Sequence, residues 1–151
     1  MIYEQKKLTL VGLKKSFSQM NSEDAFELWQ QFFKRLPEIK NCQSDTCYAA
    51  VKVTGEKTDY FCGIEVSSLE NVAPEMQVLV VPPSTYAKFK HIGSIENVSR
   101  TVNSIYEKWL PLCEWKHNEG PDLEIYEPGY DPKSDDAYMY YSVPLRTGPS
   151  A

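Results

Sequence analysis

The apolar and polar positions of this chain fall into a pattern that occurs twice. Asn21-Ser22 is a polar opening to a run in which Ala25, Trp29, Phe32, Phe33 and Leu36 recur at helical spacing, closed by Leu36-Pro37. Gly93-Ser94 opens a second such run, with Ile95, Val98, Val102, Ile105 and Trp109 on its stripe and Leu110-Pro111 as its stop. The two Leu-Pro stops are about 74 positions apart, near half the chain, which marks an internal duplication. Helices are therefore expected over residues 22–36 and 94–110. Glu23 and Asp24 in the first turn and Lys34 and Arg35 in the last suit the dipole of the first helix.

Strand-like segments flank both helices. Residues 8–13 alternate, with Gly12 marking a bend, and residues 14–20 form a polar lead into the helix. After a loop over 41–46, residues 48–53 and 60–66 form a hairpin, and 67–75 link the halves. In the second half, residues 76–81 and 85–90 precede the helix. Residues 122–127 and 137–145 form the second hairpin, joined through Pro128-Gly129-Tyr130-Asp131-Pro132. The order strand, helix, strand, strand is thus given twice, predicting an α+β fold with a largely antiparallel sheet and two helices on one face. One domain over 1–151 is expected, with units at about 1–70 and 76–146 and a tail that frays after Arg146. A seam between two similar units is a common place for a ligand cleft.

Composition narrows the function classes. At 42% hydrophobic and 13% aromatic residues the chain can bury a core. A formal charge of −5 argues against direct nucleic-acid binding, which needs a basic face. No run approaches the ~20 apolar residues of a membrane span, and residues 1–6 lack a signal-peptide core, so a cytoplasmic location away from membranes is expected. The four cysteines read as reduced thiols packed as small hydrophobes. Neither His91 nor His117 is paired with a cysteine, so no metal is expected. No phosphate loop or nucleophile elbow is present, and no cofactor is expected.

The run Tyr86-Ala87-Lys88-Phe89-Lys90-His91-Ile92-Gly93, the helix ending Trp109-Leu110-Pro111, the stretch Asp122-Leu123-Glu124-Ile125-Tyr126-Glu127-Pro128 and the final Tyr141-Ser142-Val143-Pro144-Leu145 together resemble the gyrase-inhibitor-like small-molecule-binding family. That family includes effector-binding domains of AraC-type and multidrug-sensing MerR-type regulators, and stand-alone members. The resemblance covers nearly the whole chain. It implies a duplicated βαββ fold with a curved sheet and a groove between the helices. It also implies bulky cationic aromatic ligands, and an acidic residue, here Glu124, facing the ligand's charge. No helix-turn-helix segment accompanies the repeats, so any regulatory role is expected to run through a partner.

From the residues alone, Glu124 between Leu123 and Ile125 reads as a solvent-facing side chain of a half-exposed strand, and it is the resemblance that turns it toward the groove. A desolvated carboxylate must find a cation or hold its proton, and either makes it a selector for positive ligands. Tyr126 shares the strand parity of Glu124 and should point to the same side. The resemblance places Trp109 near the groove, where its ring could hold a cation; as a stripe residue it is otherwise core. Tyr138 and Tyr140 share one side of the last strand and Tyr141 takes the other; alternation does not say which faces the groove, and Tyr60 and Phe61 pose the same choice. The ligand-binding set expected is Glu124, Tyr126, Trp109, Phe61 and Tyr140. His91 is a conceivable general base, but a histidine at a helix start more often closes a loop.

Three functions follow as expectations. The first is a binding protein for amphipathic cationic aromatic compounds, with no assigned catalytic residue. The second is a hydrolase of small electrophiles using Glu124 with a tyrosine. The third is an acidic protein that modulates a DNA enzyme such as gyrase or serves a regulator, motivated by Glu124, Glu127, Asp131, Asp135 and Asp136.

Overall fold

In the computed structural model, which describes residues 1–131 and 134–147, Asn21 caps the first helix as its sequence dictates. Its side chain accepts from the Asp24 backbone while Asp24 accepts in return from the Asn21 backbone, a capping box that satisfies two otherwise orphaned donors. Helix α1 runs Ser22–Arg35, and Pro37 turns it into a 3₁₀ turn, Leu36–Glu38. Its face against the sheet is narrower than expected. Leu28 and Phe32 are buried, Trp29 is half-buried, and Phe33 is 52% exposed.

The strands are β1 Ile2–Gln5, β2 Leu8–Ser18, β3 Cys42–Thr54, β4 Lys57–Val66, β5 Gln77–Val81, β6 Ser84–Ile92, β7 Trp115–His117, β8 Asp122–Tyr126 and β9 Tyr138–Thr147. They form one antiparallel sheet in the order β1-β6-β9-β8-β3-β4-β2-β5, with β7 also on β9. Exchanging the halves leaves this order unchanged, because β2-β4-β3 of one unit mirrors β6-β9-β8 of the other, and the two meet at the central β3–β8 pair. The leading strand of each unit crosses over: β1 pairs with β6, and β5 pairs with β2. Only Lys6-Lys7 separates β1 from β2, and only Pro82-Pro83 separates β5 from β6, yet each pair lies at opposite ends of the sheet. Linkers this short require the ends to approach, so the sheet curls into a half-barrel.

The inside of the curl packs Leu10, Phe61, Val81, Tyr86 and Leu123. The other face carries both helices, α1 packing Phe32 over Ala49, Tyr60 and Ile64, and the second helix packing Ile105 over Met139, Tyr141 and Val143. Gly12 stands opposite Gly63 where β2 and β4 approach most closely; a Cβ on Gly12 would lie 1.9 Å from the Cys62 carbonyl oxygen.

Several expectations need correction. β1 and β7 are too short to show a period and are defined by their long-range partners. Residues 14–18 extend β2 instead of forming a lead-in, because Leu13 and Phe17 keep an inward face while the lysines and serines take water. β3 starts at Cys42, with an irregularity before Cys47 that loops out residues 43–46. The second helix does not stop at Leu110. It is built from a 3₁₀ turn Ile95–Asn97, α2 Val98–Ser104, a π turn Ile105–Trp109 and a last α turn α3 Leu110–Leu112. The widened π turn accommodates Pro111, which has no N–H to give. The tail from Gly148 and the Pro132 part of the last connection lie outside the described residues. No helix of the described residues is long and apolar enough to cross a membrane.

Candidate functional site

Glu124 lies mid-strand on β8, directly opposite Ala49 of β3, at the centre of the pairing between the two halves. The small alanine leaves room above the strand, and α1 and the start of the second helix stand apart there. The result is a cavity of about 360 Å³. Tyr60, Glu124 and Tyr126 form its floor, Trp29, Phe26 and Phe33 of α1 one wall, and Ile95 with Val98 the other. Phe26 and Phe33 are 48% and 52% exposed, so a large aromatic surface borders the opening.

The floor is a chain of hydrogen bonds. Trp29 Nε1 donates to Tyr60 Oη at 2.8 Å, and Tyr60 Oη donates to Glu124 Oε1 at 2.8 Å. Tyr126 Oη donates to the same oxygen at 2.6 Å. The Trp29 ring stands edge-on to Tyr126 at 5.3 Å and stacks on Phe33 at 5.6 Å. Burial raises the Glu124 carboxyl above its ordinary range; the Tyr126 and Tyr60 hydroxyls oppose that rise, and the charge of Asp122 adds to it. Burial, then the charge of Glu124, pushes both phenols well up, so they remain protonated donors. The described residues lining the cavity include Asp45 and Glu127 but no lysine, arginine or histidine. The hydrogen bonds of both phenols fall on Oε1 of Glu124.

Of the residues predicted from sequence, the structure brings Glu124 and Tyr126 together here. It does not bring the other three. Phe61 is on the opposite face of β4, inside the curl, because strand parity gives the helix face to Tyr60. Tyr140 also faces into the curl, with Lys88 Nζ over its ring at 4.3 Å, while Tyr141 takes the helix side. Trp109 packs edge-on against Phe89 at 4.9 Å, about three helical turns beyond Val98 and so too far along to reach the cavity. His91 is buried between Thr101 Oγ1 at 2.7 Å and the Ser94 carbonyl at 3.0 Å, closing the loop into the second helix. Tyr60, Trp29 and Phe33 were not in the predicted set. The spacing of Trp29 and Phe33 placed them on the helix stripe, but what stands opposite that stripe depends on the sheet register. All four cysteines are free, and Cys47 lines the cavity.

A second carboxylate lies two residues away on the same side of β8. Asp122 is buried; its Oδ2 accepts from Tyr106 Oη and from Tyr141 Oη at 2.6 Å, and its Oδ1 accepts from His117 Nε2 at 2.9 Å. The hydrogen bond to Asp122 raises the His117 imidazole, against the lowering effect of its partial burial.

A duplicated, curled antiparallel sheet with two helices framing an aromatic, acid-floored cavity is an effector-binding domain, a fold that holds small molecules. The chain belongs to the family of integron-associated effector binding proteins, Cass2, whose pattern matches residues 1–143. Among solved structures, SAV2435 bound to tetraphenylphosphonium is similar at 15% identity, with a TM-score of 0.77 over 97% of this chain and 93% of that one. An integron cassette protein from the mobile metagenome of Vibrio cholerae is 17% identical, with a TM-score of 0.68 over 97% and 95%. The C-terminal domain of EcmrR is 13% identical, with a TM-score of 0.77 over 97% and 96%. At these identities the likeness is one of fold. No curated protein matches the sequence.

Proposed function

We propose that this protein binds amphipathic, cationic aromatic molecules in the cavity between its helices, with Glu124 as the counter-charge. One observation carries the reading. Glu124 lies on the floor of an aromatic cavity, its hydrogen-bond partners among the described residues are two neutral phenols, and the described lining holds no basic side chain. A carboxylate so placed is held back from ionising, and a cation entering the cavity restores the balance. The aromatic walls of Trp29, Phe33 and Tyr126 add dispersion and cation–π attraction of about 0.5–2 kcal/mol each. The tetraphenylphosphonium bound by SAV2435 has the character this cavity suits: bulky, apolar and with a delocalised charge.

Binding, as opposed to turnover, is favoured because both hydroxyls converge on Oε1 of Glu124. Each phenol donates its proton to the carboxylate, and neither is offered to a leaving group.

The test compares tetraphenylphosphonium with tetraphenylborate, which has the same shape and opposite charge, by quenching of tryptophan fluorescence. The cation is expected to bind and the anion not. Glu124→Gln should weaken the cation about 100-fold, the scale of losing a desolvated charge partner. Equal binding of both ions, or an unchanged affinity in the variant, would remove Glu124 from the mechanism.

A further inference from the structure

A second cavity lies beside the central strand pair. The first cavity opens at the Cys47–Tyr126 end of the β3–β8 pair; a second, of about 640 Å³, opens at the other end, where Val51 pairs with Asp122. The two differ in their walls: Ile95 and Val98 of the second helix line the first together with α1, whereas no α1 residue is in the described lining of the second. The first is reached past Asp45, just ahead of the paired part of β3, and the second past Gly120, just ahead of β8. Helix α1 walls the first with Trp29, and the second helix walls the second with Tyr106. The chemistry is repeated as well. Each cavity has a carboxylate accepting from two tyrosine hydroxyls, with a ring N–H tied into the same network.

We propose that this second cavity is a separate binding site for small organic cations bearing N–H donors, such as a primary ammonium or an amidinium, with Asp122 as its counter-charge. Three features carry the assignment. A carboxylate can accept about four hydrogen bonds, and Asp122 accepts three, two at Oδ2 and one at Oδ1. Oδ1 therefore has room for one more donor. Next, the Tyr106 and His117 rings stack at 5.9 Å and 28°, forming a flat wall beside that oxygen against which a planar cation fits. Finally, the rim carries one charge of each sign, of which the positive one is matched elsewhere. Glu119 is exposed there, while the positive Lys52 lies directly across from Asp59 on β4 and is attracted to it.

The two sites select differently. Aromatic carbon dominates the first. The second offers His117, Asn118 and Asp122, with Val51 and Val53 as its aliphatic lining, and so suits a cation that keeps its hydrogen bonds. Occupancy of the second cavity is independent of what the first one binds.

The experiment follows the His117 imidazole by ¹H–¹⁵N NMR while benzamidinium is added to the full chain carrying Glu124→Gln, which removes the buried floor charge of the first cavity. A saturable shift of the His117 ring is expected, of the same size as in the unaltered chain. Asp122→Asn should weaken the binding about tenfold, as loss of one charge-assisted hydrogen bond predicts. Because that variant could lose structure, tetramethylammonium on the unaltered Asp122 serves as the second arm: with no N–H to donate, it should leave His117 unmoved. The proposal is overturned by the absence of a saturable shift into tens of millimolar, by equal shifts with tetramethylammonium, or by a shift seen only while Glu124 is present.

Discussion

At the centre of the β3–β8 pair, Glu124 is held by two neutral phenols. At the Val51–Asp122 end, Asp122 is held by two phenols and by His117 as well. Both carboxylates point to the same side of β8 and meet the same kind of donor. The imidazole is what separates them. Asp122 has a built-in partner in His117, so its network is stabilising, with three donors already in place and one acceptor position left at Oδ1. Glu124 has no basic partner among the described residues, and in the function proposed above a cationic ligand relieves its desolvation. The two carboxylates of β8 thus differ in one partner, an imidazole beside Asp122 and none beside Glu124.

The comparison is most easily broken by neutralising each carboxylate in turn. Asp122→Asn leaves an amide N–H facing His117 Nε2–H and should cost about 2–3 kcal/mol of stability, the range for a disrupted buried hydrogen-bonded group. Glu124→Gln keeps an oxygen for both phenols and removes a disfavoured charge, so it should stabilise the ligand-free protein by on the order of 1 kcal/mol. Chemical denaturation at mildly alkaline pH measures both. Loss of stability in both variants would mean that Glu124 is as structural as Asp122.

A smaller effect sharpens the contrast through pH. The raised Glu124 carboxyl binds its proton more tightly in the folded chain than in the unfolded one. It therefore costs nothing below the ordinary carboxyl range, and stability falls as pH rises from there through the raised value. The His117 contribution is fully present below the ordinary imidazole value and is lost as pH rises through its raised one. Affinity for a lipophilic cation moves the other way, since binding favours ionised Glu124, and should climb with pH across the carboxyl's range. Calorimetry in buffers of different ionisation enthalpy should register up to about one proton released per cation bound, and none in Glu124→Gln. Proton uptake, or a pH-independent affinity in the parent, would contradict the receptive role.

How much of this was legible in the sequence follows from where each signal lives. The repeat, both helices, the central hairpins and the α+β class are local patterns, and Glu124 with Tyr126 follows from parity on one strand. Tyr60 against Phe61, and Tyr141 against Tyr140, could not be resolved that way. Alternation gives two faces without naming them, and only the β3–β4 and β8–β9 registers assign the helix side. The crossed strands β1 and β5 were hidden for a related reason: their partners lie in the other half. Trp109 was placed near the groove by the resemblance alone; its stripe position reads as core, where it packs, and the second helix leaves the cavity at Val98, well before it. The Asp122 network escaped because its members are spread from residue 106 to 141 and converge only in the fold.

The finest test of the contrast is the phenol itself. Tyr126 donates to Glu124 at 2.6 Å and is the larger of the two hydroxyl influences holding that carboxyl down. Tyr126→Phe keeps the ring that Trp29 packs against and removes only the donor. The carboxyl should then rise further, and at a fixed pH below its new value fewer molecules are ionised to meet a cation. Affinity for tetraphenylphosphonium should drop about fivefold, in keeping with about 1 kcal/mol for one hydrogen bond. Raising the pH should restore it, because full ionisation makes the lost donor matter less. A change in packing would not be rescued by pH, so a deficit that persists across the whole profile would show that Tyr126 acts as a wall and not as a donor. Tyr141→Phe provides the counterpart at Asp122, where loss of the 2.6 Å bond should lower stability and leave binding of the lipophilic cation unchanged.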